Sequence, residues 1–131
     1  MTAENERDEA SATAEADAAN AAARDACAAG LTCAQVDAAA MAPLHAAGLG
    51  AHIRHRIGHG MGLQGHEAPW LARGDATPVA PGMVFSSEPG VYRPGIDGYR
   101  TIDTMIVTDT GVTVPSRFQS DVPAAARTIP I

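Results

Sequence analysis

His55-Arg56-Ile57-Gly58-His59-Gly60-Met61-Gly62-Leu63-Gln64-Gly65-His66-Glu67 holds three of the chain's five histidines, with four glycines between them. Glycine has no Cβ, so the backbone can turn tightly and a ligand can come close. Imidazole ligates metals and exchanges protons near neutral pH. The glycines argue against a helix through this stretch. If residues 55–59 are extended, His55 and His59 face the same side. His66 has odd spacing from His59, so a glycine-rich turn must bring it round. A metal site needs more than one ligand, and carboxylates are common companions of histidine. Glu88 is the candidate, at the end of a β-like run and just before Pro89-Gly90. Glu67, next to His66, is placed to orient that imidazole. The same pattern can also form an ordinary hydrogen-bonded surface loop, and spacing alone leaves that alternative open.

Upstream of the cluster the chain reads as helical. Residues 1–29 are rich in alanine, with Glu, Asp and Arg interspersed. Alanine is the strongest helix former, which predicts a helix from about residue 7 to 29, stopped by Gly30. A low-complexity tail is the other reading of the same run. Thr32 followed by Gln35 is a capping box and opens a second helix. Val36, Ala40, Leu44 and Ala47 recur at helical spacing, Pro43 falls inside the pattern, and Gly48 and Gly50 end it. His45, on this helix, reads as a surface residue.

From residue 51 onward Gly and Pro punctuate short β-like runs. Pro81-Gly82 turns into a strand over Met83–Glu88, and residues 94–98 form a loop. Tyr99 to Thr108, rich in Thr, Ile and Val, reads as a single strand. Asp109-Thr110-Gly111 then turns it into a hairpin with Val112-Thr113-Val114. The tail, with Pro115, Pro123 and Pro130, reads as irregular. Helices followed by strands indicate an α+β fold.

The chain has 131 residues, enough for one modest domain. Hydrophobic residues make up 46% but aromatics only 4%, so little large apolar surface is on hand for a core. A net charge of −6, with no lysine and nine scattered arginines, excludes a nucleic-acid partner. No apolar run reaches the length of a membrane span, and the acidic start has no signal-peptide core, so the expected location is cytoplasmic. Cys27 and Cys33 fit neither a redox CxxC nor a zinc knuckle and read as two reduced thiols near helix ends.

Three ordered motifs carry a resemblance. They are His55…His59-Gly60…His66-Glu67, then Ser87-Glu88-Pro89-Gly90-Val91-Tyr92, then Gly98-Tyr99-Arg100…Asp103-Thr104…Val107-Thr108-Asp109…Gly111. Together they resemble the pita-bread metallopeptidase family, which includes methionine aminopeptidase, aminopeptidase P, prolidase and creatinase. The Xaa-Pro peptidase branch is the nearest in pattern. The resemblance divides the chain into an acidic segment 1–19, helical or frayed, a partial pita-bread catalytic domain 20–115 and a tail 116–131. It implies the C-terminal half of the fold, with two helices before an antiparallel β-rich part. It also implies that His59 ligates metal and that Glu88 bridges two divalent ions, Mn, Co or Zn. His66 and His55 are implied as catalytic groups that contact substrate and handle protons. Arg100 and Tyr92 are implied to support ligands or substrate. The substrate is then a peptide or a small amide. A homo-oligomer or a complementing N-terminal half is the implied protein partner.

Two departures stand against that pattern. The family's last glutamate ligand falls on Ile102, and a one-residue shift along a strand points Asp103 to the opposite face. Two upstream aspartate ligands have no counterpart, because Asp8, Asp17, Asp25 and Asp37 all lie in helix-forming sequence. The resemblance therefore implies an Xaa-Pro-type metallopeptidase present as a C-terminal fragment, inactive alone. A creatinase-like C–N hydrolase or lyase with altered or absent metal is one alternative, and a non-catalytic binding module is another. A half-fold should also leave a sheet edge open, with Met83, Val84, Phe85, Ile106 and Val107 partly uncovered.

Overall fold

A computed structural model describes residues 3–117, 121–123 and 126. Most of the irregular tail expected from residue 116, Pro130 included, lies outside these residues. Two helices, α1 (Ala3–Ala28) and α2 (Cys33–Ala46), precede a 3₁₀ turn at Gly50–His52. Seven strands follow: β1 (Gly58–Gly60), β2 (Glu67–Leu71), β3 (Val84–Ser87), β4 (Gly90–Arg93), β5 (Asp97–Arg100), β6 (Asp103–Thr108) and β7 (Gly111–Thr113).

Both helices end by the same local chemistry. At the close of α1, the Gly30 N–H donates to Cys27 O and the Leu31 N–H to Ala26 O, with Gly30 at φ +69°. That is a Schellman cap, which satisfies carbonyls the helix would otherwise leave open and needs a left-handed residue. Gly48 (φ +76°) and Leu49 repeat it after α2, donating to His45 O and Leu44 O. Thr32 and Gln35 form the capping box foreseen at the start of α2. Val36, Ala40 and Leu44 are buried as their spacing predicts, whereas Ala47 caps the helix and is exposed. α1 begins earlier than its composition suggests and runs without a break across residues 19 and 20.

The buried face of α1 is Ala12, Ala16, Ala19, Ala23 and Ala26, a helical stripe that uniform alanine hides in the sequence. Small side chains let α1 lie close against α2, and α1 also reaches β4, β5, β6 and β7. The principal core joins Ala23, Cys27, Cys33 and Val36 of the helices to Ile57, Leu71, Phe85, Met105 and Val107. Of the five residues expected to be partly uncovered, two are not: Phe85 is fully buried and Val107 nearly so, because the helices cover them. Met83, Val84 and Ile106 are half-buried. Cys27 and Cys33 are free and buried, and burial pushes their thiols up to about 12 and about 11, which keeps them protonated.

The main sheet is antiparallel, in the order β2-β1-β3-β6-β7, and β4 pairs with β5 in a separate ribbon. This corrects a second expectation. Tyr99 to Thr108 is not one strand but the end of β5 and the whole of β6, in different sheets. Thr101 and Ile102 make the crossing. The chain is drawn across by distant partners: Asn20 Nδ2 donates to Thr101 O at 3.0 Å, and Arg24 pairs with Asp103 at 3.2 Å. The β6–β7 hairpin forms as expected, with Thr108 opposite Gly111.

Candidate functional site

β1 sits between β2 and β3, with His59 opposite Trp70 on one side and Ser86 on the other. His59 as a whole is 4% exposed. Nδ1 lies 2.9 Å from Gly60 O, and a carbonyl can only accept, so Nδ1 carries the proton. The lone pair of Nε2 is thereby aimed at Glu88, whose Oε2 is 3.4 Å away. A backbone carbonyl holding the far nitrogen is the usual second partner of a metal-ligating histidine. Two electron-rich atoms facing each other need a proton or a cation between them.

His66 stacks on His59, ring centroids 3.9 Å apart and planes at 27°. The glycine-rich turn does bring it round. The Glu67 carboxylate accepts the Gln64 N–H at 3.1 Å and fills the space a Cβ on Gly62 would take. Glu67 therefore ties the turn that delivers His66: its carboxylate holds backbone, and not the imidazole it was expected to orient. Only glycine fits at position 62 while that carboxylate stays in place.

His55 lies outside β1, so it does not share a strand face with His59 as extended geometry suggested. Its Nδ1 donates to Arg56 O at 2.7 Å, and its Nε2 then accepts the Tyr92 hydroxyl at 2.7 Å. The β4–β5 ribbon supplies both Tyr92 and Arg100. His55, Arg56, His59, His66, Glu88 and Arg100 line one pocket of about 130 Å3. Ile102 is 39% exposed, and Asp103 is 2% exposed with its carboxylate engaged by Arg24 and by the Ser116 hydroxyl. Asp103 is thus committed to the core and does not stand in for a carboxylate at Ile102.

Sequence reasoning missed the residues that brace this pocket. Asp37 Oδ1, on α2, accepts the Ile57 N–H at 2.9 Å, and Ile57 O accepts the Glu88 N–H at 2.6 Å. Burial raises the Asp37 carboxyl above the usual range, and the Ile57 bond works against that shift. Asn20, 2% exposed, accepts the Ser87 hydroxyl at 2.6 Å while donating to Thr101 O. A polar residue on the alanine stripe was the available signal, since buried amides require partners.

Could these residues hold a divalent ion? His59 Nε2 and Glu88 Oε2 suit one as a pair. Among the described residues no group of three or more metal-ligating side chains exists. A catalytic zinc keeps three protein ligands and a two-metal site more, so the set present does not by itself fit a complete centre. No helix among the described residues is long and apolar enough to cross a membrane.

Comparison with known proteins agrees with this geometry. The sequence profile of metallopeptidase family M24 matches residues 3–109. The probable dipeptidase PepE of Mycobacterium tuberculosis is 50% identical over 82 residues, covering 63% of this chain and 22% of that protein. The Xaa-Pro dipeptidase of Lactobacillus delbrueckii subsp. lactis is 41% identical over 90 residues, 69% of this chain and 24% of that protein. Among solved structures, dipeptidase PepE from Mycobacterium ulcerans superposes with a TM-score of 0.78 at 45% identity, over 82% of this chain and 29% of that one. The Xaa-Pro dipeptidase from Bacillus anthracis gives 0.76 at 31% identity, over 100% of this chain and 33% of that one. The two helices and antiparallel sheets match the C-terminal part of these pita-bread structures. The chain spans between about a fifth and a third of the length of these relatives.

Proposed function

The chain belongs to metallopeptidase family M24, and we propose that it carries the histidine and glutamate side of an Xaa-Pro-type peptidase site. The observation that supports this is the convergence of His59, Glu88, His66, His55 and Arg100 on one pocket, with His59 Nε2 facing Glu88 at 3.4 Å. In this reading His59 and Glu88 are two ligands of a divalent ion, Mn, Co or Zn, whose coordination other donors complete. His66, exposed at the mouth of the pocket and stacked on His59, receives the substrate amide and moves a proton at its carbonyl or nitrogen. His55 acts with Tyr92: its Nε2 holds the Tyr92 hydroxyl, which fixes the His55 ring at the pocket wall. Arg100 supports the substrate. A peptide is the substrate class, and a second copy or a complementing half-domain is the protein partner.

A chimera tests the reading. This chain's residues replace the matching stretch of the Lactobacillus Xaa-Pro dipeptidase, and hydrolysis of Ala-Pro is followed with Mn²⁺ or Co²⁺. With Ile102 in place, activity should be low. Ile102→Glu should restore it by at least the roughly 10–100-fold that even outer-shell metal-site changes cost. A folded chimera that stays inactive with Glu at 102 sinks the peptidase reading. The chain alone should show no turnover, and enzymic turnover by it would overturn the incomplete-site reading.

One observation favours a second reading. With Asp103 locked to Arg24 and Ser116 and Ile102 offering no donor, a branch with altered or absent metal, such as a creatinase-like C–N hydrolase, also suits this pocket. High activity of the Ile102 chimera on a small non-peptide amide, unaffected by chelator, would select it.

A further inference from the structure

A separate cavity of about 250 Å3 lies on the other face of the β4–β5 ribbon and shares no lining residue with the pocket of His59 and Glu88. Strand alternation sets the two apart. Tyr92 and Arg100 project from one face of the ribbon, toward His55 and the histidine pocket. Val91, Arg93, Asp97 and Tyr99 project from the other and wall the separate cavity. Its floor is apolar: Ala12 of α1 and Val91 are buried, and Leu49 packs against them. Its polar wall carries opposite charges side by side. Arg93 Nε donates to Asp97 Oδ1 at 2.7 Å, a second guanidinium N–H reaches Oδ2, and the Tyr99 hydroxyl donates to Oδ2 at 3.1 Å. The Arg93 bond holds the Asp97 carboxyl below the usual carboxylate range, so both charges are present at neutral pH. His52, in the 3₁₀ turn, lines the same cavity. Its imidazole makes no hydrogen bond among the described residues, and it lies close enough to Asp97 to favour the carboxylate.

That wall complements a molecule with two charges, not one. An anion drawn to Arg93 also meets Asp97, and a cation drawn to Asp97 also meets Arg93. A zwitterion with its charges close together can align with the pair and satisfy both. The imidazole adds a donor for a carboxylate, since even a neutral ring carries one N–H. An apolar floor beside a few polar groups that fix orientation is the usual build of a small-ligand site. We propose that this cavity binds a free α-amino acid with an aliphatic side chain. Its carboxylate meets His52 beside Arg93, its ammonium faces Asp97, and its side chain lies on Ala12, Leu49 and Val91. The site does not rest on the peptidase reading, although peptide hydrolysis would release this class of molecule on the other side of the same ribbon.

Calorimetry and methyl NMR on the whole chain test this with leucine, N-acetyl-leucine and leucinamide. Leucine should bind saturably and move the Leu49 and Val91 methyl signals. Each analogue lacks one of the two charges and should bind at least about tenfold more weakly, the scale of one charge-assisted contact. His52→Ala, checked for fold by circular dichroism, should weaken leucine binding about tenfold, and His52→Gln, which keeps a donor, should lose less. Leucine that binds no better than both analogues, or equally well after His52→Ala, overturns the assignment. Saturable binding that moves the His66 ring signals and leaves those of Leu49 and Val91 in place puts the ligand in the histidine pocket and overturns the site. No binding, or a response that never saturates, overturns it as well. Each of these failures leaves the peptidase reading standing, because none of them depends on His59 or Glu88.

Discussion

Two limbs of the fold meet at the pocket. One, from β1 and β3, brings His59 and Glu88. The other, from β5 into β6, brings Arg100 and Ile102. Both are braced from behind by the same helix: Asn20 of α1 holds Ser87, next to Glu88, and Thr101, next to Ile102. The first limb has a further tie from α2 through Asp37 and Ile57, and the second from Arg24 and Ser116 through Asp103. Support is therefore equal on the two sides, while the chemistry is not. One limb presents a carboxylate to the pocket; the other presents Arg100, with an exposed isoleucine two residues on. The limb that ends on isoleucine is as well ordered as the other, so its lack of a carboxylate at position 102 does not come from a collapsed backbone.

The most disruptive way to break the comparison is to remove the brace both limbs share. Asn20→Ala strands the Ser87 hydroxyl and the Thr101 carbonyl, both in buried surroundings. Leaving a buried polar group unpaired costs about 1–3 kcal/mol each, so the loss should be about 2–6 kcal/mol by urea unfolding. A loss under about 0.5 kcal/mol, the size of an ordinary surface substitution, would show that the limbs are not held through Asn20. The next largest effect sharpens the contrast. Ile102→Glu should raise affinity for Mn²⁺ about 10–100-fold by calorimetry, the range associated with a metal-site partner. Unchanged affinity would mean that position 102 does not face the His59 and Glu88 pair.

How much of this was legible in the sequence follows the same division between local and distant contacts. The second helix could be read because Thr32, Gln35 and Gly48 act within a turn of their own position. The β6–β7 hairpin was legible for the same reason. The broken strand over residues 99–108 was not. Thr, Ile and Val there favour extension throughout, and the break is enforced by Asn20 and Arg24 from about 80 residues away. β2 escaped because Pro69 lies inside it, which is tolerated only since β2 is the edge of its sheet. At the site, residue types and spacing pointed to His59, His66 and Glu88. What the sequence could not show was that His55 turns to Tyr92, or that an aspartate of α2 reaches the backbone beside Glu88.

That aspartate provides the smallest and most direct test of how the first limb is held. Asp37 pairs with the Ile57 N–H, so Asp37→Asn keeps an acceptor there and removes only the charge. Burial is the larger influence on this carboxyl and lifts it above its ordinary value of 3.8. A folded-state pKa above the unfolded one contributes stability that is complete below 3.8 and is lost as pH rises through the raised value. Relative to Asp37→Asn, the unmodified chain should therefore lose stability from about pH 4 upward and level off once the carboxyl is fully ionised. Urea midpoints of the two proteins, followed side by side across pH, measure this. The opposite slope, with the unmodified chain gaining on the variant as pH rises, would mean that the bond to Ile57 outweighs burial. The ionised carboxylate would then be what fixes the segment between α2 and Glu88.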